Sequence, residues 1–164
     1  MWYIEEQEKV YLDYNATTPL DPEVIKAITD GLEYWANPSS ANALSKKVKE
    51  LIEGARSDVA GLFHVTPQEV FFTSGVTETN HWVIHNAIEY YKAQQGREAI
   101  PHLICSAIEH PSILTPLQDL QKKKVIELTQ INIDPITGCV RLDELEAVIR
   151  EETCFITVML CNNE

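Results

Sequence analysis

Polar residues that could take part in chemistry lie at three places where an apolar, strand-like segment ends. They are Thr73-Ser74-Gly75, residues 106–110 and residues 161–164. In open α/β sheets, ligands bind at the carboxyl ends of the strands. These three segments are therefore the candidates for a binding or active site.

The first segment has the composition of a phosphate-binding turn. It joins a predicted strand to the start of a predicted helix, where the first amides lack internal partners and the helix dipole is positive. Gly75 would let the backbone approach a ligand closely, and Ser74 and Thr77 would add hydroxyl donors. The simpler interpretation is a helix cap by Ser74 or Thr77, and local chemistry alone favours it.

The other two segments carry a histidine and two asparagines. The flat ring of His110 could stack on a ligand ring or carry a proton, although a surface or helix-capping histidine is the more common case. Asn162 and Asn163 directly follow a predicted buried strand. Buried amides need hydrogen-bond partners, so these residues either bind something or form the kind of turn that asparagine favours. The residues alone leave these alternatives open.

Composition limits the possible partners. The 164 residues include 13 Lys and Arg against 25 Asp and Glu, a net charge of -12. Such a chain repels nucleic acid and anionic membranes. No apolar run approaches the roughly 18–20 residues that span a bilayer. The acidic start does not resemble a signal or transit peptide, which predicts a cytosolic location. Any phosphate site must therefore be built locally.

The cysteines and histidines do not have the spacing of metal ligands. No CxxC pair occurs, and the histidines form no HExxH pattern. We predict no structural metal and expect buried free thiols at Cys105, Cys139, Cys154 and Cys161.

Hydrophobic periodicity predicts alternating strands and helices. Such alternation indicates an α/β fold with a mostly parallel sheet and flanking helices. The predicted helices cover residues 22–35, 45–62, 77–91, 111–122 and 142–150. The predicted strands cover residues 69–73, 102–106, 125–131 and 155–160.

Five motifs, taken in order, carry a resemblance to a known family. They are YLDYNATTPLDPEV, NPSS followed by GAR, FTSGVTETN, EH at positions 109–110, and the terminal NNE. Together they resemble the cysteine desulfurase and selenocysteine lyase family, pyridoxal-phosphate enzymes of the class V aminotransferase group. The resemblance runs from about Val10 to Glu164. The stretches PHLICSAIEHPSI and ITVMLCNNE look closest to the selenocysteine lyase branch.

The resemblance implies roles for four residues. Val76 and Thr77 match the positions that bind the cofactor phosphate, through a backbone amide and a hydroxyl. Position 76 is Val where Gly or Ala is usual, which crowds the loop modestly. His110 matches the histidine that stacks on the pyridine ring and assists proton transfer. Asn163 matches the asparagine near the phenolic oxygen and the substrate carboxylate. More loosely, the loop at 15–18 matches a segment near the active-site entrance.

The resemblance also implies an incomplete enzyme. Residues 1–14 would be an N-terminal segment, and residues 15–164 would be part of the cofactor-binding large domain of a fold type I transferase. The family's Schiff-base lysine, ring-nitrogen aspartate, catalytic cysteine and substrate arginine lie beyond NNE. The lysines present lie on polar helical faces or in charged runs, which do not favour Schiff-base chemistry.

We therefore expect the N-terminal part of a pyridoxal-phosphate-dependent selenocysteine lyase. The complete enzyme would convert L-selenocysteine to L-alanine and release selenium, while this chain alone would be inactive. The alternatives are a cysteine desulfurase acting on L-cysteine and a non-catalytic truncated remnant. Because members of this family are homodimers, the resemblance implies a homodimer for the full-length protein, with no nucleic-acid or membrane partner.

Overall fold

The computed structural model describes residues Val10–Asn162. This part of the chain forms two compact units, one reaching Phe72 and the other covering Thr73–Asn162. Asn163 lies outside the described residues. No helix in the described part is both long enough and apolar enough to cross a bilayer.

The first unit contains helices only, among its described residues. Asp21 caps the first helix by accepting a hydrogen bond from the Glu23 amide at 2.8 Å, and Asn42 caps the second through the Ser45 amide at 2.9 Å. The second helix ends at His64, which adopts a left-handed conformation. The elements are α1 (Pro22–Gly31), α2 (Ala43–Phe63) and a 3-10 helix (Pro67–Glu69).

The predicted strand at residues 69–73 is wrong. Glu69 ends the 3-10 helix instead, and its carboxylate accepts hydrogen bonds from the Thr66 amide and hydroxyl, both at 2.8 Å. Val70 is extended, but it pairs with no strand in the described part of the chain. Its carbonyl accepts from the Arg56 guanidinium on α2. β-prone side chains favour an extended backbone, whereas a strand also needs a neighbour to bond with.

The second unit confirms the predicted α/β fold. Its three strands, β1 (His102–Ser106), β2 (Glu127–Ile131) and β3 (Thr153–Thr157), are parallel and lie in the order β2-β1-β3. The predicted bounds agree with β1 and with the helix Pro111–Lys122, whereas β3 lies at 153–157 rather than 155–160. The elements are α3 (Val76–Gln95), β1 (His102–Ser106), α4 (Pro111–Lys122), β2 (Glu127–Ile131), α5 (Leu142–Val148) and β3 (Thr153–Thr157).

The core of this unit positions the strand ends. All five residues of β1 are buried, as expected for the central strand of a parallel sheet. Ile84 and Ile88 of α3 and Leu117 of α4 join Leu103 in one buried cluster. Burying each such side chain stabilises the fold by about 1.5–3 kcal/mol. This packing holds α3 and α4 together against the sheet.

The cysteines divide by position. Cys105 in β1 is buried and Cys154 in β3 is half-buried, while Cys139 and Cys161 are exposed, so the expected burial is wrong for the last two. Burial raises the pKa of Cys105 to about 11 and also raises the pKa of Cys154. These two strand thiols therefore stay protonated and unreactive at neutral pH.

Candidate active site

The start of α3 presents free backbone amides. Gly75 is the N-cap, with a φ of 154° that side chains rarely adopt, and no side chain caps the helix. Val76 and Thr77 occupy the first turn, where no carbonyl of the helix reaches their N–H groups. Val76 is 71% exposed. The N-terminal end of α3 can therefore bind an anion, to which these amides would donate hydrogen bonds.

Ser74 is already engaged within the turn. Its amide and hydroxyl donate to one carboxylate oxygen of Glu78, at 2.6 and 2.7 Å. These hydrogen bonds lower the pKa of Glu78. The Ser74 hydroxyl thus serves the turn itself, and Thr77 is left as the hydroxyl that could face a ligand.

His110 lies where β1 gives way to α4. It is the N-cap of α4, and its Nδ1 atom accepts from the Ser112 amide at 3.0 Å. The Ser112 hydroxyl lies 2.8 Å from the same nitrogen. His110 therefore caps a helix, as the simpler interpretation held, and this bond also sets the position of its ring.

Two side chains join the second and third candidate segments. The buried carboxylate of Glu109 accepts from the Ser106 hydroxyl at 3.0 Å and from the Met159 amide at 2.6 Å. The Asn162 side-chain amide donates to the Ile108 carbonyl at 2.9 Å. The loop after β1 and the segment after β3 are therefore tied together next to His110.

Sequence reasoning gave Glu109 no role of its own. The available signal was its place beside His110, shortly after a buried strand. A carboxylate there must find donors if it is buried, and Glu109 is only 6% exposed.

Thr77 and His110 meet at one cavity. It has a volume of about 620 Å³, and its lining comes from the start of α3 and from α4. Asp119 and Lys122 of α4 also line it, so the lining adds one carboxylate and one cation, and the local sequence around Thr77 lacks such a cation. Val76 is not among the lining residues.

The remaining predicted segment lies in the first unit. A turn forms there, in which the Ala16 amide donates to the Asp13 carbonyl at 3.1 Å. The role of residues 15–18 near an active-site entrance stays a prediction, as does the role of Asn163.

Comparisons with known proteins give one consistent result. The chain matches the class V aminotransferase family over residues 10–164. It is 40% identical to a selenocysteine lyase of Bos taurus, over 97% of this chain and 39% of that protein. It is 38% identical to the cysteine desulfurase IscS of Neisseria meningitidis, over 94% of this chain and 37% of that protein.

Solved structures of similar proteins agree with these sequence comparisons. A NifS-like protein superposes with a TM-score of 0.85 at 32% identity, covering 94% of this chain and 41% of that one. The structure of SspA in complex with cysteine gives a TM-score of 0.78 at 30% identity, covering 94% of this chain and 43% of that one. The chain thus spans about two-fifths of the length of these relatives.

Proposed function

Because the chain belongs to the class V aminotransferase family, whose enzymes use pyridoxal phosphate, we propose that it supplies one wall of a pyridoxal-phosphate site. The observation that carries this proposal is the shared cavity of Thr77 and His110. One residue offers donors for a phosphate and the other offers an aromatic face for a ring. The donor set therefore fits this cofactor.

The start of α3 would hold the phosphate. The amides of Val76 and Thr77 point along the helix axis, at the positive end of its dipole, and the Thr77 hydroxyl adds a third donor. In a chain with a net charge of -12, these local donors must offset the repulsion of an anion.

His110 would lie against the cofactor ring, with its own ring held by the capping bond to Ser112. When bound, the cofactor supplies an electron sink for bonds at the α-carbon of an amino acid. His110 would orient that ring and carry a proton near it. Asn163 would lie close to the phenolic oxygen and the substrate carboxylate, as the family resemblance implies.

Equilibrium dialysis with pyridoxal phosphate tests this site. We expect Thr77→Val to weaken binding roughly tenfold or more, the loss of a hydrogen bond to a charged group. His110→Ala should also weaken it. Thr29→Val on α1 and His85→Ala on α3 are matched controls outside the cavity lining. Equal affinity in all five proteins would overturn the proposal.

For the complete enzyme, we propose L-selenocysteine as substrate, with L-alanine and selenium as products. Support comes from the similarity to selenocysteine lyases. The similarity to a cysteine desulfurase keeps L-cysteine as the second candidate. Comparing kcat/KM for the two amino acids in the full-length protein separates these possibilities.

We further propose that this chain alone neither turns over substrate nor binds the cofactor covalently. Support comes from the sequence, in which the lysines lie on polar helical faces or in charged runs. Lys122 lines the cavity and is therefore the lysine whose labelling is examined first. Borohydride reduction with one equivalent of pyridoxal phosphate, followed by peptide mass spectrometry, is the test. Stoichiometric labelling of a single lysine would contradict this expectation. A non-catalytic remnant remains the alternative for the isolated chain.

A homodimer of the full-length enzyme and a cytosolic location are also proposals. The family resemblance supports the first, and the second is a prediction from the sequence alone. Sedimentation equilibrium of the full-length protein and imaging of a tagged form test them.

A further inference from the structure

We propose that Ser112 and Asn80 are positioning residues that keep neutral His110 in the tautomer with its proton on Nε2. The use of this tautomer rests on the proposed cofactor function. The tautomer itself follows from hydrogen bonds in the described chain and can be measured without any cofactor.

The backbone of Ser112 decides the state of one ring nitrogen. Its N–H donates to Nδ1 of His110 at 3.0 Å. A backbone N–H can only donate, so Nδ1 must present its lone pair. In a neutral imidazole with an unprotonated Nδ1, the proton sits on Nε2.

A second donor, the Ser112 hydroxyl, reaches the same nitrogen and is itself bonded by Asn80. We call this series of hydrogen bonds from Asn80 through Ser112 to His110 the relay. The Asn80 side-chain amide donates to the Ser112 hydroxyl oxygen at 2.8 Å, and that oxygen lies 2.8 Å from Nδ1 of His110. Because Nδ1 already presents its lone pair to the Ser112 N–H, the hydroxyl must be the donor in this contact, while its oxygen accepts from Asn80. Ser112 is only 7% exposed, so water competes weakly for these bonds.

The relay couples the two halves of the proposed site. Asn80 lies on α3, the helix whose first turn carries Thr77, and Ser112 lies in the first turn of α4. The ring of His110 is therefore oriented by the same helix that would hold the phosphate. With Nδ1 occupied, Nε2 is the ring nitrogen left to exchange a proton with a ligand in the cavity.

The test is nitrogen NMR of the chain labelled with ¹⁵N-histidine, without cofactor, at a pH where the ring is neutral. The His110 signals are assigned from their loss in His110→Gln. We expect the wild-type shifts to report a proton on Nε2. An equal mixture, or a proton on Nδ1, would overturn the proposal without any variant being needed.

Two variants test the relay itself. Ser112→Ala removes the hydroxyl. Asn80→Asp turns the hydroxyl hydrogen of Ser112 away from Nδ1, because a carboxylate accepts a hydrogen bond where the amide donated one. Each should lower the ratio of the Nε2–H to the Nδ1–H form roughly fivefold, the effect of one typical hydrogen bond. Ser112→Thr, which keeps a hydroxyl, should restore the wild-type ratio.

Asn86→Asp is the matched control for the added charge, because it places the same group on an exposed position of α3. It should leave the His110 ratio unchanged. Wild-type ratios in both Ser112→Ala and Asn80→Asp would overturn the relay. Failure of the wild-type chain to bind pyridoxal phosphate would instead count against the proposed function, so the two failures are distinguishable.

Discussion

At the residue scale, a buried acid organises the proposed site without lining its cavity. Glu109 bonds the Ser106 hydroxyl and the Met159 amide, and these groups belong to segments far apart in the chain. A buried donor that loses its acceptor carries the full cost of leaving water. The carboxylate of Glu109 therefore stabilises the meeting of the two loops next to His110.

We predict that Glu109→Ala lowers the free energy of unfolding by about 1–3 kcal/mol, because the buried Ser106 hydroxyl and the half-buried Met159 amide lose their acceptor. Glu109→Gln retains one acceptor oxygen and should lose less. Urea unfolding followed by circular dichroism measures both. Equal losses in the two variants would argue against the hydrogen bonds as the cause.

At the element scale, a histidine connects all three strands. Nδ1 of His102 lies 2.8 Å from the Thr153 hydroxyl on β3, and Nε2 lies 2.8 Å from the Thr129 hydroxyl on β2. Burial is the main cause that lowers the pKa of His102, with the charge of Arg150 next, against opposing effects of Glu127 and Glu152. The ring therefore links the sheet in its neutral form.

This link predicts a pH dependence. With the pKa of His102 lowered in the folded state, the unfolded chain binds a proton that the folded chain does not. The free energy of unfolding should therefore fall as the pH drops below about 6.5, the ordinary histidine value. The fall should be no steeper than about 1.4 kcal/mol per pH unit from this group, and should end below its folded pKa.

Urea unfolding of the wild-type chain and of His102→Gln at a series of pH values measures this effect. The contribution of His102 is the difference between the two slopes of unfolding free energy against pH. His85→Gln, at an exposed position of α3, is the control and should keep the wild-type slope. The informative window runs from about 1.5 pH units below to about 0.5 unit above the ordinary histidine pKa. If His102→Gln has the same slope as wild type there, the explanation is wrong.

At the scale of the whole molecule, negative charge opposes the proposed phosphate site. The net charge of -12 acts over long distances, whereas helix amides and the Thr77 hydroxyl act at contact. Salt screens distant charges more than contacts, with a Debye length of about 10 Å at 0.1 M. Raising the ionic strength should therefore weaken the long-range repulsion more than the attraction at contact.

We predict that pyridoxal phosphate binds more tightly as salt rises from about 0.01 to about 0.15 M, because long-range repulsion is screened first. Equilibrium dialysis measures this, and pyridoxal, which lacks the phosphate, should change much less. An affinity that falls with salt would mean that local positive charge, including Lys122, outweighs the net charge.

Local patterns were enough to predict much of the fold. The bounds of β1 and α4 follow from an apolar run and from a proline at the start of the helix, both of which act within a few residues. The same reasoning failed at residues 69–73, because pairing depends on a partner that composition does not reveal. Motifs alone singled out Thr77 and His110 as candidates.

Tertiary structure decided what surrounds those candidates. Asn80 and Ser112 are 32 residues apart, yet bonded, and Glu109 reaches Met159 across 50 residues. No local propensity encodes such contacts, since they depend on how α3, α4 and the ends of β1 and β3 pack. The sequence by itself determined which residues could do chemistry, whereas packing decided which of them meet, because hydrogen bonds require atoms to lie within about 3 Å of each other.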